Sequence, residues 1–219
     1  MAMANFIPDI TVILTFGLAT FVLAITPGPD MAYFISRTVN YGKTHGTVAV
    51  AGAFVGLFVH TLLAAFGISV LLALAPTAFL ILKIVGALYL LWLAYLAIRT
   101  GSGIALANKQ GKSPTLKQTF FTGLGINLTN PKIILFFVTF LPQFVSQSDP
   151  HASAKLLFLG AEFLVISIPV LVLVIAFAGW IGRVLVQSAK AQKALNWSFA
   201  AVFATFAVAI LAVESTGTH

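Results

Sequence analysis

The sequence predicts an all-α integral membrane protein of six transmembrane helices, arranged as a 3+3 inverted repeat in which helices 1 and 4 are broken. Three observations predict it. Of 219 residues, 60% are hydrophobic and 8% are charged, where a soluble domain carries roughly a quarter charged residues. The apolar residues gather into runs that meet or exceed the roughly 20 residues a spanning helix needs. Two of those runs are interrupted by proline beside a charge, at Thr26-Pro27-Gly28-Pro29-Asp30 and at Asn130-Pro131-Lys132.

The runs give spans at about 8 to 38, 46 to 74, 77 to 98, 118 to 146, 155 to 181 and 195 to 213. No Lys or Arg precedes Arg37, so the first run lacks the basic flank of a signal peptide and reads as a retained span. Spans two and three are parted only by Ala75-Pro76-Thr77, a tight turn in which proline ends one helix and opens the next. The chain forms a single transmembrane domain: a first half over 1–100, a basic cytoplasmic connector over 101–117 rich in Gly, Ser and Lys, and a second half over 118–219. Short loops bearing Lys and Arg stay cytoplasmic. Arg37 and Lys43, then Arg99, Lys109, Lys112 and Lys117, then Arg183, Lys190 and Lys193 fall in alternate loops, which places both termini on the non-cytoplasmic side of a cell (inner) membrane. Three spans per half then insert in opposite senses. Gly28-Pro29-Asp30-Met31 over Asn130-Pro131-Lys132-Ile133 matches a proline and a following charge, and Gly52-Ala53 corresponds to Gly160-Ala161.

Composition also excludes chemistry. Without cysteine there is no disulfide, thiol catalysis or thiolate metal site. The net charge of +7 is scattered between apolar runs rather than packed with aromatics, so the partner is the bilayer and not nucleic acid. Gly-x-Ser-x-Gly and His-Glu-x-x-His are absent, and an enzyme is not expected. Few intramembrane carboxylates and one imidazole in a span argue against a metal site, and no cofactor is expected.

Pro27 and Pro29 lack amide hydrogens, and with Gly28 between them the first helix must unwind over residues 26 to 30. Unwound backbone at membrane depth survives only against protein or a water-filled cavity. In the fourth span Asn127, Thr129, Asn130 and Pro131 repeat the pattern with amides and hydroxyls able to satisfy freed groups or hold a ligand. Each break carries one charge, and burying it costs roughly 2.5 to 3.5 kcal/mol on insertion scales. Asp30 and Lys132 therefore either pair with each other or snorkel apart, or line one site where a ligand's ammonium meets the carboxylate and its carboxylate the ammonium. That site suits a zwitterion, with Asp30, Lys132, Asn130, Thr26, Gly28 and Asn127 as its candidate residues.

Glu162, inside span five, can relay protons if desolvation raises its pKa, or can pair with Lys83 in span three. His60, in span two, is a further proton-coupling candidate beside Asp30 and Glu162, although a lone buried His is more often simply hydrogen-bonded. Gly52-x-x-x-Gly56 permits close helix approach within the monomer or across a homodimer. Tyr89, Trp92 and Tyr95 suit packing and interface anchoring, and Arg183, Lys190 and Lys193 fix topology or touch anionic lipid.

The pieces Thr26-Pro27-Gly28-Pro29-Asp30-Met31, Gly42 with Gly46, Gly52-x-x-x-Gly56 followed by His60, Leu82 to Leu90, Asn130-Pro131-Lys132 and Phe140-Leu141-Pro142-Gln143-Phe144 run in order along most of the chain. In them the sequence resembles the LysE/RhtB family of amino-acid exporters. The resemblance implies six spans, no cofactor, and efflux of amino acids or related metabolites driven by the proton gradient. It departs at Leu57, where many relatives carry a polar residue, often Asp, so a coupling site in span two is not carried over. One acid and one base at the breaks favour a neutral amino acid. The alternatives are an exporter of another small metabolite or ion, or a channel.

Overall fold

The computed structural model describes residues 6–26, 28–68, 70, 75–100, 113–146 and 149–212, and every regular element among them is helical. Pro27, the side chain of Lys83 and residues 101–112 of the connector lie outside the described residues. Helix α1 (Ile10–Ile25) ends where Thr26 turns extended, at φ −73° and ψ 111°. Gly28 is extended too, and Pro29 is the first residue of α2 (Pro29–Tyr41), a place where a missing amide hydrogen leaves no intrahelical acceptor unpaired. The break is thus shorter than the expected 26 to 30, because Pro29 and Asp30 already belong to α2.

Gly42, at φ +89°, is the single positive-φ residue described. Only glycine takes that backbone freely, and it lets α3 (Lys43–Leu63) begin at once. A π-helical turn over Ala64–Ile68 extends α3, and α4 spans Pro76–Thr100. Helix α5 (Leu116–Leu128) starts with a capping box, Gln118 N donating to Thr115 Oγ1 and Thr115 N to Gln118 Oε1. After Thr129 and Asn130, Pro131 opens α6 (Pro131–Leu135). This helix runs on through a π-helical turn (Phe136–Phe140) and a 3-10 turn (Leu141–Phe144).

The expected fifth span of 155 to 181 is divided. Helix α7 (Ala152–Ala176) stops at Phe177, whose backbone leaves helical geometry at φ −104° and ψ 11°, and α8 (Ala178–Gln187) starts anew. Helix α9 (Ala189–Ala212) covers most of the expected sixth span.

Lys43–Ile68, Leu80–Arg99 and Ala152–Ala176 are each long and apolar enough to cross a bilayer. The bent pairs α1–α2 (51°) and α5–α6 (48°) pass as one span each, giving three to five among the described residues. The two breaks resemble one another in detail. In each, a capping residue (Gly28, Asn130) precedes a proline at the first helical position, and the charged residue follows at the second.

Lipid offers helices little hydrophobic reason to associate, so close packing of small residues and shape carry the bundle. Helix α3 lies against α5, its most extensive neighbour, and α9 against α4. A Cβ on Gly52 would overlap the Phe120 carbonyl, and one on Gly123 would overlap that of Ala49. The Gly52-x-x-x-Gly56 stripe is therefore occupied inside the monomer. Phe136 sits at the hub of a ring cluster, within 5.1 to 6.0 Å of Phe16, Phe137, Phe140, Phe163 and Phe206. Tilted and edge-on ring pairs of this kind add about 0.5–1.5 kcal/mol each, and here they join α1, α6, α7 and α9.

Candidate functional site

The two breaks meet. Lys132, 5% exposed, reaches from α6 into the gap below α1, where its ammonium donates to the carbonyls of Thr26 at 2.9 Å and Leu23 at 3.4 Å. Asp30 Oδ1 lies 3.8 Å from the same nitrogen. The Thr26 carbonyl is thus satisfied by a side chain from the other break, as the low-dielectric surroundings require, while Leu23 O also accepts from Thr26 N at 3.2 Å. Gly28 is the close-approach residue: a Cβ there would stand 2.8 Å from Asp30 Oδ1 and 3.3 Å from Lys132 Nζ.

Beside the pair lies a cavity of about 30 Å³, room for roughly one or two waters. Asp30, Lys132 and Asn127 face it with Ser167, and Phe34, Ala53, Leu57, Phe163 and Leu171 supply apolar wall. Asn127 is 2% exposed, and its Oδ1 has no hydrogen-bond partner among the described residues. A buried amide oxygen so placed is costly unless something else donates to it. Gly56 makes the room for it, since a Cβ there would approach Asn127 Oδ1 to 2.5 Å.

The other sequence candidates divide. The Thr26 hydroxyl is spent on its own helix, donating to Val22 O at 2.6 Å, so this residue contributes a carbonyl and not a hydroxyl. Asn130 caps α6, its Oδ1 accepting from Lys132 N at 3.1 Å, while its Nδ2 is buried without a partner among the described residues. Thr129 is exposed and bonds back to Gly125 O. His60 Nε2 stands 3.4 Å from the Asn127 carbonyl and the ring packs on Phe137. Glu162 lies apart from the cavity, against Gly17 of α1, with Oε2 buried and unpartnered among the described residues. Its pairing with Lys83 concerns a side chain outside those residues.

Sequence reasoning missed the α7 wall. Phe163, Ser167 and Leu171 stand four residues apart, on one face of that helix. A serine flanked at that spacing by bulky apolar residues was the available signal. Among the described residues no group of three or more His, Cys, Asp or Glu is placed to hold a metal ion.

The model of the LysE type translocators matches residues 21–214. The chain belongs to the LysE type translocator family. As a member of this family of amino-acid efflux transporters it is a multi-pass membrane protein. It is similar to a homoserine/homoserine lactone efflux protein of Salmonella typhimurium, 32% identical over 85% of this chain and 89% of that one. Leucine efflux proteins of an Enterobacter species and of Klebsiella pneumoniae are each 29% identical, over 91% and 92% of this translocator and 95% of their own lengths. No solved structure matches the chain.

Proposed function

We propose that this translocator exports neutral amino acids or close derivatives, driven by the proton gradient, through a site between its two broken helices. One observation carries the reading: a largely buried carboxylate, a buried ammonium and an amide oxygen with no partner among the described residues converge on one cavity whose remaining wall, Ser167 apart, is apolar. A zwitterion answers both charges, and a side chain without charge suits the wall. Lysine or arginine would ask for a second acid, and the cavity lining holds only Asp30. Relatives named for leucine and homoserine support the same reading. The cavity is smaller than an amino acid, so loading requires the broken helices or α7 to move, as in alternating access.

The full arrangement belongs to this proposal: one domain of six spans in two inverted halves, set in a cell membrane with both termini outside the cytoplasm. The matching cap, proline and charge at the two breaks support the repeat. Asp30, in the site, and Glu162, whose Oε2 is buried without a described partner, are the proton-coupling residues of this reading, and His60 positions the Asn127 backbone. The occupied glycine stripe favours a site complete within one chain. A second reading, export of a metabolite with no free carboxylate, draws on the lactone in one relative's name.

The test is to overproduce the protein and compare tolerance and efflux over a panel of labelled amino acids and homoserine lactone, with and without a proton gradient. Enhanced efflux of neutral amino acids, abolished by an uncoupler, is expected. No enhancement for any compound would refute the assignment, and efflux of the lactone alone would install the second reading.

A further inference from the structure

Lys132 is more than half of an ion pair. Its ammonium faces three acceptors, Thr26 O, Leu23 O and Asp30 Oδ1, which matches the three N–H donors of such a group. The acceptors come from α1 and α2, whereas the lysine comes from α6, more than a hundred residues away. Two of them are carbonyls at the C-terminal end of α1, where the helix dipole is negative. Gly28 lets the carboxylate and the ammonium come this close, because a Cβ there would stand 2.8 Å from Asp30 Oδ1 and 3.3 Å from Lys132 Nζ. Asp30 is the loosest of the three, because its Oδ1 has no hydrogen-bond partner among the described residues and stands 3.8 Å from the nitrogen.

We propose that this cradle of Thr26 O, Leu23 O and Asp30 is the binding subsite for the substrate's primary ammonium group, and that Lys132 fills it as a tethered stand-in until a substrate displaces it. That the ammonium belongs to an exported amino acid rests on the reading above; that the cradle takes a free ammonium does not.

Displacement sets a condition on the ligand. Once its ammonium enters the cradle, the released lysine is a buried cation in need of an anion, and uncompensated burial is strongly unfavourable. An α-amino acid brings that anion on the neighbouring carbon. A simple amine would strand Lys132, and a simple acid could not replace it. Selection for a zwitterion then arises from the exchange of partners, and the unloaded translocator keeps a neutralised site because its own lysine occupies it. The same exchange unfastens α6 from α1, so occupancy is read directly by the two broken helices.

The decisive experiment is chemical rescue. Lys132→Ala and Lys132→Gln proteins, purified in detergent, are heated in methylammonium chloride and in sodium chloride at equal concentration, beside the wild type. Both variants are expected to melt several degrees higher in methylammonium, with the wild type indifferent because its cradle is filled. Adding Asp30→Asn to either variant should remove most of the gain. If Lys132→Ala folds only when methylammonium is present, that recovery supports the cradle as well. Equal melting in the two salts for every variant that folds, an equal gain in the wild type, or recovery of neither variant in methylammonium would overturn it. Rescue by methylammonium from a protein that exports no amino acid would leave the cradle standing and remove the function; export with no rescue would do the reverse.

Discussion

Gly56 shows how far a single residue reaches into the site. Its missing side chain is the space that holds Asn127 Oδ1 beside the cavity. Gly56→Ala should push the amide aside and lower efflux per folded protein roughly tenfold, the equivalent of one polar contact of about 1.4 kcal/mol, and should also lower the melting temperature because the methyl overpacks the α3–α5 seam; efflux assays beside thermal melts check it. At this scale Asp30 and Lys132 were legible because a charge inside an apolar run demands an explanation. Thr26 was legible only as polar, since a hydroxyl's choice between its own helix and a ligand is decided by backbone geometry. Ser167, Phe163 and Leu171 become site residues only when α7 packs across the breaks, which no local pattern states.

Helix ends follow local chemistry more closely. The reciprocal bonds of Thr115 and Gln118 fix the start of α5, and Thr115→Ala should cost about 1 kcal/mol, measured as a lower melting point. Asp149 orders the turn into α7, accepting from His151 N and from the Lys155 ammonium. The Lys155 hydrogen bond, then that from His151, holds the Asp149 carboxyl below its ordinary pKa. Its contribution to stability is therefore complete above the unfolded value of about 3.9 and is lost as pH falls through the lower folded value. The melting difference between wild type and Asp149→Asn should stay constant above about pH 5 and close in stronger acid. Proline and glycine announced both broken helices in advance, whereas Gly42 was read only as part of the family pattern and its corner came from the backbone. The division at Phe177 went unread because that residue carries no breaker of its own; just past it Ala178 is buried against Met31 and Ile35 of α2.

For the molecule as a whole, topology is the property most open to direct test. In the proposed topology the basic residues in alternate loops face the cytoplasm, so a phosphatase fused after His219 should be active, and a cytoplasm-dependent fluorescent reporter there should stay dark. The apolar runs made a membrane protein legible from composition alone. The way the two breaks meet was not, because Lys132 finds Thr26 through folding and not through sequence proximity. The Phe136 hub has a mechanical corollary. It lies in a wide π-helical turn followed at once by a narrow 3-10 turn, so moving the wide turn along by one residue would rotate a side chain by roughly 100° with almost no change in helix length. Helix α6 is in this sense a screw thread set in a bearing of phenylalanine rings. Amide hydrogens at 136–140 should accordingly exchange faster than those in the middle of α7, and equal protection would show the thread to be locked.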